Sequence, residues 1–226
     1  MDFSLLDGSL SLFNVFRLAK YRREFARLHP DYFGPDGILV FCGPQGSGKT
    51  LSMVQYARKV CARYPKCVVC SNIDILGISN KVIPWQGVES LVDVQNGEHG
   101  VLYLIDEMHL EFNSLESKKI DANVFEQISQ QRKQRKHIVG TSQVYTRLAK
   151  PFREQFRYAV FCRSTFGHAL QVNSVVDAET AKEVDGQLIT ETVKRCVWFH
   201  TPSLYQSYDT YAVVKRMRDS WSSKEV

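Results

Sequence analysis

A glycine-rich segment at residues 43–50 restricts the folds open to this chain more than any other part of the sequence. It reads Gly-Pro-Gln-Gly-Ser-Gly-Lys-Thr and directly follows an apolar run at residues 38–42. Its glycines tolerate positive φ, so the backbone can wrap closely around a phosphate. The turned N–H groups form an anion-binding nest that leads into a helix N-terminus. The spacing G-x-x-x-x-G-K-T therefore predicts a phosphate loop between a strand and a helix.

The end of this loop predicts a site for a nucleotide and Mg²⁺. Lys49 is expected to reach the β- and γ-phosphates, and the hydroxyl of Thr50 is expected to help hold Mg²⁺. The rest of the loop contributes mainly backbone N–H groups. The predicted nucleotide-binding residues are Gly43, Gln45, Gly46, Ser47, Gly48, Lys49, Thr50 and Leu51.

The composition fits one sizeable globular domain. Of the 226 residues, 44% are hydrophobic and 23% are charged, as in ordinary soluble domains. The formal net charge of +5 permits a polyanionic partner without requiring one. The sequence shows neither an apolar run of the ~18–20 residues that span a bilayer nor a signal peptide. We therefore expect a soluble protein.

Six cysteines are scattered along the chain, and two of them, Cys67 and Cys70, have C-x-x-C spacing. No second Cys or His pair follows at the spacing of a metal site. Because the pair lies in a strand-like run, we interpret it as buried and structural. Reduced thiols and a cytosolic compartment are the expectation.

Apolar runs alternate with helical patterns along most of the chain. Near-continuous apolar runs, typical of parallel strands covered on both faces, occur at 36–42, 67–72, 100–105, 137–141 and 158–163. Helical patterns occupy 51–63 and 123–133, and a helix or turn occupies 145–156. This alternation predicts an α/β fold, a parallel sheet with helices on both faces. Ligands of such sheets bind at the carboxyl ends of the strands.

Three segments are expected along the chain. Residues 1–34 are predicted to form an appendage built on a basic amphipathic helix at 9–28, which ends before Pro30. That helix would pack on the domain's own sheet, or bind a membrane surface or nucleic acid. Residues 35–214 are predicted to form the ATPase domain, with strand-like fragments at 197–199 and 211–214, and residues 215–226 a polar tail.

A second motif, Asp106-Glu107, ends the apolar run at 101–105 and has the form of a Walker B element. The strand would deliver both acids to the edge of the sheet that carries the phosphate loop. There Asp106 can hold Mg²⁺ through a water, and Glu107 can polarise the water that attacks the γ-phosphate. An acid directly after the aspartate favours ATP hydrolysis over phosphoryl transfer to another substrate.

A polar trio, Thr141-Ser142-Gln143, ends the next strand. Gln143 is the predicted catalytic member, because an amide can donate to the γ-phosphate and accept from water at once. The alternative is a simple strand cap or turn.

The densest positive cluster lies at residues 130–137. It would contact a nucleic-acid backbone, supply an arginine finger to a neighbouring subunit, or form a solvated helix end. Three arginines after Gln143 compete for the role of the finger: Arg147, Arg153 and Arg157.

Together these motifs resemble the zonular occludens toxin-like branch of the FtsK–HerA superfamily. They are also similar to the packaging ATPases of membrane-containing double-stranded DNA viruses. The resemblance covers about residues 36–165 and is carried by residues 43–50, 105–107 and 137–143 and by Arg153. The aromatic segment 205–211 also resembles the one that closes the nucleotide-binding domain in this family.

The resemblance implies a RecA/FtsK-like P-loop NTPase that forms a ring, with six the expected number of subunits, and moves DNA during phage or virus assembly. It assigns phosphate and Mg²⁺ binding to Lys49 and Thr50, and metal and water to Asp106 and Glu107. It makes Gln143 the γ-phosphate sensor and Arg153 the trans-acting arginine.

One departure from the family pattern bears on the function. Filamentous-phage members carry a membrane span beyond the ATPase domain, and this sequence shows none. The expectation is therefore a packaging motor in the host cytoplasm, or attached to a virion vertex, with capsid or virion membrane proteins as further partners. A nucleotide-gated assembly or scaffold factor is the alternative. A P-loop small-molecule kinase fits less well, because Glu107 and Gln143 weigh against it.

Overall fold

A computed structural model describes residues 11–112, 130–131, 133–148, 150–184 and 187–208. The described chain divides into two compact units, with the boundary between Tyr32 and Phe33. The first unit contains helix α1, Leu12–Leu28, in agreement with the helix predicted at 9–28. The helix ends where the His29 N–H donates to the Phe25 carbonyl oxygen, just before Pro30. The predicted domain limits at residues 34 and 214 stay predictions.

An eight-stranded sheet forms the centre of the second unit. The strands of this unit are β1 (Gly37–Cys42), β2 (Val68–Ser71), β3 (Val82–Pro84), β4 (Val101–Ile105), β5 (Lys136–Ser142), β6 (Phe156–Thr165), β7 (Leu170–Asp177), β8 (Lys182–Val184), β9 (Gln187–Ile189) and β10 (Thr192–Phe199). The spatial order of the central sheet is β10-β7-β6-β1-β5-β4-β2-β3. The other two strands, β8 and β9, form a separate antiparallel pair.

The sheet is mixed rather than wholly parallel, which corrects the sequence prediction in part. The six strands from β3 to β6 in spatial order pair in parallel. By contrast, β7 pairs antiparallel with β6, and β10 with β7. A four-residue turn at 166–169 joins β6 to β7, and antiparallel neighbours need no crossover helix. The α/β class is confirmed, and the fragments expected beyond residue 167 include two long strands.

The helices of this unit are α2 (Lys49–Arg63), α3 (Ser90–Asp93), α4 (Lys150–Arg153) and α5 (Pro202–Tyr205). The helix or turn predicted over 145–156 consists of a 3-10 turn, Tyr145–Arg147, followed by the short α4. Most of the helix predicted over 123–133 and the fragment at 211–214 lie outside the described residues.

Each face of the sheet buries its own apolar cluster, and β4 shows how. All five residues of β4 are buried, and successive side chains alternate between the two clusters. On one face Leu102 and Leu104 belong to the cluster of α2; on the other face Tyr103 and Ile105 belong to the cluster of Met108. A strand covered on both faces reads as an uninterrupted apolar run, as predicted. Cys67 and Cys70 are buried free thiols, also as predicted.

His137 connects β5 to β1 and to α2. Its side chain is buried, with Nδ1 2.9 Å from the Gly37 carbonyl oxygen and Nε2 2.9 Å from the Tyr56 hydroxyl. A carbonyl only accepts, so Nδ1 carries the proton and Nε2 accepts from Tyr56. Burial lowers the pKa of His137 below its ordinary value.

We expect acid to destabilise the fold through His137. Between the lowered pKa and the ordinary value near 6.5, the unfolded chain binds the proton and the folded chain does not. The free energy of unfolding therefore falls as pH drops through this window, by up to about 1.4 kcal/mol per pH unit. His137→Asn does not titrate and still offers a donor to Gly37, so its unfolding should depend less on pH. Urea unfolding from neutral pH to about pH 5 measures this, and equal slopes in both proteins would exclude His137 as the cause.

Candidate functional site

The phosphate loop turns directly from β1 into α2, as the sequence predicts. Residues 43–48 connect Cys42, the last residue of β1, to Lys49, the first residue of α2. Gly48 has a φ of 81°, and a Cβ at this position would overlap the side-chain amide of Gln171. Only glycine fits both the backbone conformation and the space. The loop thus lies at the carboxyl edge of the parallel strands.

Two buried groups of the loop are suited to an anion. Lys49 is 7% exposed, and its Nζ donates to the Pro44 carbonyl oxygen across the loop at 3.1 Å. The hydroxyl of Ser47 is buried and has no hydrogen-bond partner within the described parts of the chain. Burying an unpaired hydroxyl is costly unless a ligand can satisfy it. An ammonium group and a spare hydroxyl fit a phosphate group.

The two predicted magnesium ligands are in contact. Thr50 Oγ1 donates to Asp106 Oδ1 at 3.0 Å, joining the start of α2 to the residue after β4. Mg²⁺ takes oxygen ligands and is usually held by one or two protein groups together with substrate phosphates. A hydroxyl and a carboxylate beside the phosphate loop therefore fit this ion.

Thr141, near the end of β5, holds both acids of the Walker B motif. Its hydroxyl donates to Asp106 Oδ1 at 2.6 Å and accepts from the backbone N–H of Glu107 at 2.9 Å. Because β5 lies between β1 and β4, it is the strand that can reach both motifs. The sequence indicated Thr141 only as one member of a polar trio.

Glu107 has an uncommon backbone conformation for a residue with a side chain. Its φ is 52° and its ψ is 47°, in the left-handed region. This conformation costs roughly 1–2 kcal/mol, which the bond from its N–H to Thr141 helps offset. Its Oε2 lies 3.2 Å from Nδ1 of His109. The acid is therefore held beside Asp106, at the edge of the sheet that carries the phosphate loop.

Asn72 is a supporting residue that sequence reasoning missed. It follows β2 directly, and its side-chain amide makes two bonds with the backbone of Asp106, at 2.8 and 2.9 Å. The Asn72 N–H also donates to the Leu104 carbonyl oxygen at 3.2 Å. The sequence could have indicated Asn72, because it is a polar residue directly after a strand. The same criterion identified Gln143.

Gln143 lies exposed one residue past β5, at the same edge as the phosphate loop. Arg153 lies elsewhere. It ends α4, three residues before β6, and β6 begins beside Ile38 at the amino end of β1. Its guanidinium carbon is 5.6 Å from the centre of the Tyr145 ring. The structure therefore brings Asp106 and Glu107 to the loop and leaves Arg153 toward the opposite edge of the sheet.

The basic segment at 130–137 is only partly a solvated surface. Lys133 is exposed, but Lys136 is 1% exposed and donates to the Leu91 carbonyl oxygen. Burial lowers the pKa of Lys136. Since Lys136 and His137 belong to the buried strand β5, the idea that they contact nucleic acid is wrong. Arg132 lies outside the described residues.

Within the described ranges, no helix is both long enough and apolar enough to cross a bilayer.

Neither a protein family model nor a curated protein sequence matches this chain. Solved structures do match. The N-terminal domain of zonular occludens toxin from Neisseria meningitidis has a TM-score of 0.55 and 15% identity, over 78% of this chain and 100% of that one. The genome packaging NTPase B204 from Sulfolobus turreted icosahedral virus 2, in complex with AMPPCP, has a TM-score of 0.49 and 14% identity, over 75% and 99%. The DNA-packaging ATPase B204 from Sulfolobus turreted icosahedral virus has a TM-score of 0.48 and 12% identity, over 74% and 98%.

At these identities the likeness concerns the fold. The expected resemblance to zonular occludens toxin is confirmed at this level, and the strand, phosphate loop and helix are in the predicted order. The chain has the fold of a P-loop NTPase, with the architecture of the zonular occludens toxin N-terminal domain.

Proposed function

We propose that this chain hydrolyses ATP at the carboxyl edge of its sheet and uses the energy to move DNA, as a genome-packaging or assembly motor. One observation carries the hydrolytic part. A single carboxylate oxygen of Asp106 accepts hydrogen bonds from two hydroxyl groups, that of Thr50 in the phosphate-loop helix and that of Thr141 in the neighbouring strand. The nucleotide loop and the Walker B acids therefore form one connected site.

Each residue has a distinct task in this proposal. Lys49 exchanges the Pro44 carbonyl for the β- and γ-phosphates, while loop N–H groups bind their oxygens. Thr50 and Asp106 hold Mg²⁺, which when bound neutralises charge that develops on the phosphates. Glu107 accepts a proton from the water that attacks the γ-phosphorus, as the bond to the ADP oxygen breaks. Gln143 orients that water.

The DNA part of the proposal rests on the sequence resemblance and on the net charge of +5. The same resemblance is the basis for a ring, with six the expected number of subunits, in which an arginine acts on a neighbour's nucleotide. Capsid or virion membrane proteins as partners, and a place in the host cytoplasm or at a virion vertex, belong to this proposal too.

DNA-stimulated ATP hydrolysis tests the coupling to DNA. Phosphate release by the full chain is measured with and without linear duplex or single-stranded DNA, at several salt concentrations. We expect turnover to rise with DNA and the stimulation to weaken with salt, because phosphate contacts release counterions. Lys49→Ala is the control for contaminating ATPases. If turnover is slow and DNA does not raise it at any salt concentration, while ATP binding is intact, the motor is refuted and a nucleotide-gated assembly factor is indicated.

Thr141 should be essential for support of the acids. Thr141→Val keeps the shape of the side chain and removes the hydroxyl that contacts Asp106 and Glu107. We expect turnover and Mg²⁺ affinity to fall by about 10–100-fold, as when a group supporting a metal ligand is lost. Thr141→Ser retains the hydroxyl and should keep most of both. Magnesium titrations of ATPase activity measure the effect, and wild-type behaviour of Thr141→Val would remove Thr141 from the site.

A further inference from the structure

Gln171 of β7 contacts the phosphate loop from the antiparallel end of the sheet. Its side chain is 0% exposed. Its Nε2 donates to the Ser47 carbonyl oxygen at 3.0 Å and to Asn173 Oδ1 at 2.8 Å. Its Oε1 lies 3.1 Å from His200 Nε2. A buried amide with this many partners is held in one orientation.

His200 holds the oxygen end of the Gln171 amide. Its Nδ1 lies 2.6 Å from the Tyr205 hydroxyl. Partial burial, followed by the charge of His168, lowers the pKa of His200, so the ring is neutral at neutral pH. The Ser47 carbonyl oxygen only accepts, so the amide nitrogen of Gln171 faces it and the amide oxygen faces His200. His200 Nε2 therefore donates to Gln171, which leaves Nδ1 to accept from Tyr205.

This bond fixes the orientation of the peptide between Ser47 and Gly48. A trans peptide is planar, and its N–H points away from its C=O. Anchoring the Ser47 carbonyl to β7 thus turns the Gly48 N–H away from β7, and in the proposed nucleotide site this N–H is one of the loop donors that bind the phosphate. Glycine tolerates many backbone conformations, so without the anchor the peptide could reverse. A reversed peptide would present a carbonyl oxygen to the phosphate, and the two would repel each other.

We infer that Gln171 is a positioning residue for the phosphate loop, acting on the nucleotide through the Ser47–Gly48 peptide. The inference rests on the nucleotide site proposed above and extends it to β7 and β10. It also gives a role to Tyr205, in the aromatic segment that the sequence resemblance singled out: through His200 it supports the amide that holds the loop.

Two substitutions remove the donor while nearly keeping the size of the side chain. Gln171→Glu places a carboxylate oxygen opposite the Ser47 carbonyl, and Gln171→Met removes polarity altogether. We expect each to weaken binding of a non-hydrolysable Mg·ATP analogue by about 10–100-fold, the usual cost of losing a supporting group. KM for ATP should rise similarly while kcat changes little, the signature of lost ground-state binding.

Asn173→Ala is the matched control. Asn173 lies two residues from Gln171 in the same buried network and accepts from Ser52, but among the described residues no hydrogen bond joins it to the loop. This variant should lower the melting temperature and leave analogue affinity near that of the wild type. Calorimetric titration of all variants, each first shown to be folded by thermal unfolding, gives the result without hydrolysis or DNA.

The outcomes separate the two proposals. If the wild type binds the analogue and the folded Gln171 variants bind it equally well, the role of Gln171 is refuted alone. Equal loss of affinity in Asn173→Ala would also overturn it, by showing that any break in the buried network weakens binding and that the bond from Gln171 to Ser47 has no special part. If the wild type does not bind the analogue, the nucleotide site itself is refuted and the role of Gln171 with it. Where Gln171→Met does not fold, the nearly isosteric Gln171→Glu decides.

Discussion

Glu107→Gln is expected to bind Mg·ATP as the wild type does and to hydrolyse it about 10²–10⁴-fold more slowly, the usual contribution of a general base. The amide has nearly the shape of the carboxylate but cannot accept a proton from the attacking water. The backbone bond from residue 107 to Thr141 is unaffected by the change, so the left-handed turn should persist. Binding is measured by calorimetry and hydrolysis by phosphate release under single-turnover conditions.

Glu111→Gln provides the matched control for this result. Glu111 lies four residues further along, at the end of the same 3-10 turn, and has no assigned part in the site. It should keep wild-type turnover. If Glu107→Gln also keeps it, the base lies elsewhere and the assignment of the Walker B glutamate is wrong.

Arg153→Ala is expected to assemble and to bind ATP, yet to lose most turnover, by roughly 10³–10⁵-fold for a true arginine finger. The position of the residue is the reason to expect action in trans. Arg153 precedes β6, which starts at the end of β1 opposite the phosphate loop, and among the described residues no hydrogen bond or ring contact joins it to the loop. Its half-buried guanidinium lies over Tyr145, and its Nε has no hydrogen-bond partner among the residues described.

Mixed assemblies decide whether Arg153 acts on a neighbour. Combining Arg153→Ala with Glu107→Gln subunits should restore some activity, because certain interfaces then hold an intact Glu107 and an intact Arg153. Lys150→Ala, in the same short helix, is the control and should hydrolyse normally. Absence of rescue in mixtures shown to co-assemble would mean that Arg153 acts within its own subunit or only structurally. Arg132 and Arg135 would then be the next residues to test.

Local patterns predicted much of the parallel part of the sheet. The run at 101–105 reads as uniformly apolar because both faces of β4 are covered, and the loop at 43–50 has a fixed spacing. The antiparallel end was harder to predict. In β10 most side chains are exposed, so no apolar run marks it, and β7 alternates buried and half-buried residues. Such strands are recognised by their partners rather than by their own sequence.

The supporting contacts of the site show the same limit. Asp106, Glu107 and the loop were identified from motifs, whereas Asn72, Thr141 and Gln171 act through contacts between distant parts of the chain. The bond from Gln171 to Ser47 joins residues 124 positions apart, which no local spacing encodes. Lys136 shows a case in which a local pattern was misleading. A run of basic residues is usually exposed to solvent, but Lys136 of the run at 130–137 is buried because it belongs to β5.

Binding of Mg·ATP to the wild type and to Lys49→Ala, measured by calorimetry, tests the nucleotide site most directly. Within the described residues the Lys49 side chain makes one hydrogen bond, to Pro44, so its loss should leave the melting temperature nearly unchanged. We expect the wild type and the control Lys59→Ala, an exposed lysine on the same helix, to bind, and Lys49→Ala to lose tight binding. Equally tight binding by a folded Lys49→Ala protein would contradict the assignment of the phosphate loop.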